Sequence, residues 1–131
     1  MGLDMYLYAR NKETKEDVEV AYWRKANQVL KFFKECFGEM ENCKEYNVSI
    51  DTIKGLLKTC ENVLNKATDG ENVTNAKYAH QMLPTQDGFF FGSTEYDKWY
   101  VRELQSTVDK LKVVVEQFNP EVENLVFMAW W

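Results

Sequence analysis

The chain has 131 residues, a hydrophobic content of 45% and a formal net charge of −5, which suits one α+β domain over residues 1–131 with a single core and requires no second unit. An acidic balance without a concentrated Lys/Arg cluster argues against direct nucleic-acid binding, since neutralising phosphates needs clustered cations. No apolar run approaches the ~20 residues that span a bilayer, and no basic segment followed by an apolar stretch opens the chain, so the expected location is cytoplasmic and away from membranes.

In chain order, residues 3–9 alternate, with Leu3, Met5, Leu7 and Ala9 on one side and Asp4, Tyr6, Tyr8 and Arg10 on the other, which reads as a half-buried strand. Residues 11–17 are a solvated connection. From Tyr22 to Phe37, apolar residues recur at three- and four-residue intervals and Gly38 follows, so the spacing predicts a first helix over 22–37. Ser49 is a good N-cap for a second helix carrying Ile53, Leu56, Cys60 and Val63 on one stripe, stopped at Asp69-Gly70. Residues 74–82 suit a short helical turn.

The segment Leu83-Pro84-Thr85-Gln86-Asp87-Gly88-Phe89-Phe90-Phe91-Gly92 is too apolar for an ordinary loop, and residues 89–91 are expected to form a short buried strand. Ser93 or Thr94, followed by Glu95 and Asp97, has the form of an N-cap with first-turn acids. A last helix is expected over 95–118, ended by Asn119-Pro120, and residues 125–131 read as a closing strand covered on both faces at its centre. The fold class is α+β, with the terminal strands sharing a small sheet packed against about three helices.

Cys36, Cys43 and Cys60 form no CxxC pair and fit reduced thiols, and His80 is the only histidine, so no metal site and no cofactor are expected. Phosphate-loop, dinucleotide, nucleophile-elbow and zinc-protease motifs are missing, and no catalytic residues are assigned. The planar and polar groups around Trp23 carry more information. On a helix, Trp23 and Asn27 would share one side with Arg24 and Gln28 beside them, joining a stacking ring to groups that read hydrogen-bonding edges and clamp anions. The plain alternative makes Trp23 core and pairs Arg24 with Glu19. Asp4 and Tyr6 share the polar face of the first strand, and Arg24 is the natural partner for an inward Asp4.

Three motifs then stand out together: Met1-Gly2-Leu3-Asp4-Met5-Tyr6-Leu7, Tyr22-Trp23-Arg24-Lys25-Ala26-Asn27, and Leu83-Pro84-Thr85-Gln86 with Gly88-Phe89-Phe90-Phe91-Gly92-Ser93-Thr94-Glu95-Tyr96-Asp97. In this order they resemble a family of small, uncharacterised phage and prophage proteins, and the resemblance spans nearly the whole chain. Members tend to carry Ile-His where this chain has Val29-Leu30, and a small polar pair before a final Trp where it has Ala129-Trp130.

The resemblance implies a phage protein working in the cytoplasm of an infected bacterial host. The expected function is non-enzymatic. A pocket of Asp4, Tyr6, Trp23, Arg24, Asn27, Ser93, Thr94 and Tyr96 would bind a small anionic or nucleotide-like ligand, sequestering a host defence signal. The alternative is inhibition of a host defence protein through protein–protein binding, with Trp99, Tyr100, Trp130 and Trp131 as anchors. A nucleotide hydrolase using Asp4 or Glu95 as base ranks last, and homo-oligomerisation is compatible with each.

Overall fold

The computed structural model describes residues 2–88 and 90–131. The chain opens with a hairpin of β1 (Asp4–Asn11) and β2 (Asp17–Arg24), followed by α1 (Asn27–Phe37), β3 (Glu45–Val48) and α2 (Ile50–Ala67). A small ribbon of β4 (Thr68–Asp69) and β5 (Asn72–Val73) leads into α3 (Ala76–Met82), α4 (Lys98–Gln117) and β6 (Glu123–Trp130). The main sheet is antiparallel in the order β2-β1-β6-β3, so the terminal strands are neighbours at its centre. This is an α+β fold. Among the described residues, no helix is long and apolar enough to cross a membrane.

The alternation in β1 sets the two faces of the sheet. Met5, Leu7 and Ala9 lie opposite Ala129, Phe127 and Leu125 of β6, and all are buried. Trp23, Phe33 and Phe127 form the aromatic centre of this layer, with the rings of Phe33 and Phe127 stacked 3.9 Å apart. Burying each such side chain contributes about 1.5–3 kcal/mol. The opposite face carries Asp4, Tyr6, Tyr8 and Arg10, where Arg10 pairs with both Asp17 and Glu45. Val126 also belongs to that face, yet it is buried like its neighbours Leu125 and Phe127, so the centre of β6 is covered on both sides as expected.

The expected helix over 22–37 is shorter at its start. Tyr22, Trp23 and Arg24 belong to β2, paired with Tyr6, Met5 and Asp4. The spacing from Tyr22 to Ala26 misleads because four residues are one helical turn and also two strand periods. Lys25 makes the corner with φ at +56°, and its N–H donates to Leu3 O at 2.8 Å. Ser49 caps α2 as expected, its Oγ accepting from Thr52 N at 3.1 Å. Residues 74–82 resolve into α3, capped by Asn75.

The strand expected over 89–91 is absent at its described positions. Phe89 lies outside the described residues, Phe90 adopts a left-handed turn and is 56% exposed, and Phe91 is buried. Phe91 N donates to Gly88 O at 3.2 Å, closing a turn in place of a ladder. Gly92, at φ +88°, lies where a Cβ would sit 3.1 Å from both Cβ and O of Lys25, so a side chain would press on that corner. The last helix starts later than expected, at Lys98. Its cap is Asp97, whose Oδ1 accepts from Trp99 N and Tyr100 N at 3.0 and 3.2 Å, while Ser93 and Thr94 lie in the segment before it. A carboxylate oxygen that takes both free N–H groups displaces the hydroxyl caps upstream.

Candidate functional site

The turn at Lys25 and the loop before α4 meet over one face of that helix. Val101, Leu104, Val108 and Leu111 turn into the core. Trp99, Arg102, Glu103 and Ser106, at three- and four-residue spacing beside that stripe, face outward toward Arg24, Lys25 and Gln28. The space between them is an open cleft of about 600 Å³, within the usual range of small-ligand sites. Gly92, Ser93, Glu95 and Asp97 close its remaining side.

Asn27 holds this wall in place. Its Nδ2 donates to Phe91 O and Ser93 O at 3.1 and 2.9 Å, and its Oδ1 accepts from Gln86 N at 2.9 Å. A second clamp is the hydroxyl of Tyr96, which accepts from Thr85 N at 3.1 Å and meets His80 Nδ1 at 2.7 Å. Thr85 Oγ1 donates to Thr94 O at 2.8 Å, and Tyr100 donates from its hydroxyl to Leu83 O at 2.7 Å. The loop is thus fastened to α1, α3 and α4 by side-chain bonds, because it has no ladder of its own.

Several charges in the cleft are already committed. Arg102 pairs with Glu71 through Nε at 2.8 Å and lies 4.8 Å over the Trp99 ring, and Asp97 is occupied in capping. Arg24 and Lys25 form no ion pair among the described residues, nor do Glu95 and Glu103. Burial pushes the Glu103 carboxyl above the usual carboxylate range, partly offset by Lys110. Gln28 is only 4% exposed, and its carboxamide has no hydrogen-bond partner among the described residues. Trp99 stands at the rim with 59% of its surface open.

The candidate residues read from the sequence fall in different places. Arg24 and Ser93 line the cleft. Trp23 is fully buried, its indole N–H donating to Thr107 Oγ1 at 3.0 Å, so it belongs to the core. Asn27, Thr94 and Tyr96 support the loop by the bonds above. Asp4 and Tyr6 lie on the outer face of the sheet, where Asp4 Oδ1 accepts from the Tyr22 hydroxyl and Tyr6 packs on Tyr22 and Tyr8. The expected Asp4–Arg24 pair does not form, because that tyrosine satisfies the carboxylate; Arg24 does not pair with Glu19 either.

On α4 the cleft is lined by Trp99, Tyr100, Arg102, Glu103 and Ser106, none of which was assigned to the pocket. Their sequence signal is slight. A polar stripe on an amphipathic helix ordinarily marks a solvated face, and only the partner segment makes it a wall. Among the described residues, no group of three or more His, Cys, Asp or Glu is placed to hold a metal. Cys60 is buried, with its thiol pushed up to about 12 by burial, while Cys36 and Cys43 are exposed.

The arrangement can grip an anion through Arg24 and Lys25, accept hydrogen bonds at Glu95 and Glu103, and offer both a donor and an acceptor at Gln28, while the Trp99 ring at the rim is already covered by Arg102 and Lys98, 4.8 and 5.2 Å from its centroid. Comparison with protein-family models, with curated proteins and with solved structures finds no match.

Proposed function

We propose that this is a phage-encoded, non-enzymatic binding protein that holds a small anionic, nucleotide-like ligand in the cleft beside α4 and sequesters it from a host defence pathway. The observation that carries the binding reading is that Arg24 and Lys25, which form no ion pair among the described residues, line the same cleft as Gln28, whose carboxamide has no hydrogen-bond partner among the described residues and reaches the open space there. The phage context rests on the three-motif resemblance, and the cytoplasm of the infected host follows from it.

Native mass spectrometry with linear and cyclic nucleotides and ADP-ribose derivatives tests the reading. An added mass that disappears in Arg24→Ala supports it. Conversion of the ligand would favour a nucleotide hydrolase with Glu95, the acid of the two suggested bases that lies in the cleft. No adduct across the panel, with a folded protein, removes the small-ligand reading.

The second reading, inhibition of a host protein, draws on exposed apolar residues: Val18 at 63% and Trp130 at 54%, besides Trp99. Two of the expected anchors are less available. Tyr100 is buried, and Trp131 is half-buried under Lys34.

A further inference from the structure

Binding a phosphate or carboxylate accounts for Arg24 and Lys25 but leaves the acidic side of the cleft unexplained. Glu95 and Glu103 would repel a ligand that is anionic throughout. The occupant must therefore turn negative charge toward Arg24 and Lys25 and hydrogen-bond donors toward the carboxyl groups.

Gln28 and Glu103 narrow the chemistry further. The Gln28 carboxamide presents one acceptor and two donor hydrogens, all unused by described residues, and its low exposure leaves the cleft as its outlet. Glu103 lines the same cleft half-buried and, when ionised, only accepts. A carboxamide that both donates and accepts matches adjacent donor and acceptor atoms on a nucleobase edge, and a carboxylate matches an exocyclic amino group.

Resting on the cleft reading above, we propose that the ligand is a nucleotide whose base carries an exocyclic amino group, as adenine does. Its phosphate meets Arg24 and Lys25 and its amino-bearing edge meets Gln28 and Glu103. A base with an oxo group at the same position turns an acceptor toward Glu103 and leaves the carboxylate unpaired, which the protein reads as the wrong ligand.

AMP and IMP differ in this one group. Isothermal titration of the full chain with AMP, IMP, ribose 5-phosphate and inorganic phosphate is the test. AMP is expected to bind roughly 5- to 150-fold more tightly than IMP, the range set by one good base-edge pairing. In Glu103→Gln, where a carboxamide can donate to the oxo group, that ratio shrinks or reverses. Circular dichroism confirms that the variant is folded.

Equal affinity for AMP and IMP, or a ratio unchanged by Glu103→Gln, overturns the base assignment and leaves the anion site standing. Ribose 5-phosphate or phosphate binding as well as AMP does the same. No binding of any probe by the folded wild type overturns this inference, and failure of the wider nucleotide panel as well removes the ligand reading beneath it.

Discussion

The indole N–H of Trp23 donates to the hydroxyl of Thr107 at 3.0 Å, and both residues are fully buried. This bond fastens the edge strand β2 to the middle of α4, the two elements that bring Arg24 and Glu103 to opposite sides of the cleft. Thr107→Val keeps the shape of the side chain but leaves the indole unsatisfied, and is expected to cost about 1–3 kcal/mol. Urea unfolding monitored by tryptophan fluorescence measures this, and Thr107→Ser should retain most of the stability. An unchanged midpoint in Thr107→Val would mean the bond contributes nothing.

Asn27 controls the loop that forms one wall of the cleft. Asn27→Ala removes its bonds to Gln86 N, Phe91 O and Ser93 O together, and a loss of about 2–4 kcal/mol is expected. Hydrogen exchange should rise mainly over residues 84–94, since the strands and long helices keep their own bonds. Faster exchange spread evenly over the chain would show that Asn27 supports the whole fold rather than the loop.

Glu103 gives the cleft a pH signature. Burial raises its folded pKa above the unfolded value of about 4.3, against the offsetting charge of Lys110 and beside the neutral Cys60 thiol of α2, with Arg24 and Lys25 on the opposite wall. The folded state therefore binds more protons than the unfolded one, and stability falls as pH rises through the window above about 4.3. Glu103→Gln removes this penalty. The variant should unfold at higher urea than the wild type at pH 7, with the difference vanishing below about pH 4. A variant less stable at pH 7 would mean that the carboxylate has a stabilising partner.

On the outer face of the sheet, the hydrogen bond to Asp4 raises the Tyr22 phenol to about 12, with burial adding to the shift. Here the folded pKa lies above the unfolded value of about 10, so the contribution is present at neutral pH and is lost as pH rises from about 10 through 12. Ultraviolet titration of wild type minus Tyr22→Phe isolates this phenol. Asp4→Asn should return its midpoint toward 10, and a midpoint that stays near 12 would assign the shift to burial alone.

The parts of the fold legible in the residue pattern are those whose periodicity extends over several turns or a full strand. The stripe Ile53, Leu56, Cys60 and Val63 in α2 and the stripe Val101, Leu104, Val108 and Leu111 in α4 are such cases, and so is the alternation of β1. Short-range capping chemistry was readable at Ser49, where one hydroxyl had no competitor. It misled at Ser93 and Thr94, because Asp97 stands closer to the helix and takes both N–H groups. The four-residue β3 went unread, since Glu45 to Val48 acquires its strand character from pairing with β6.

The candidate site was less legible than the fold. Of the expected ligand contacts, Arg24 and Ser93 line the cleft, whereas the ring of Trp23 lies in the core. Gln28 stood in the right cluster for a different reason, on the premise that residues 22–28 were one helix.

By itself, the sequence determined the terminal strands, the two long amphipathic helices and the α+β class, because each depends on a spacing repeated within one segment. Tertiary structure decided that residues 22–24 form a strand, that Trp23 is interior, and that Arg24 and Gln28 face Glu103 across a cleft. Those outcomes depend on pairing with β1 and on packing against α4, and the energy of a contact between distant segments is not written in the periodicity of either one.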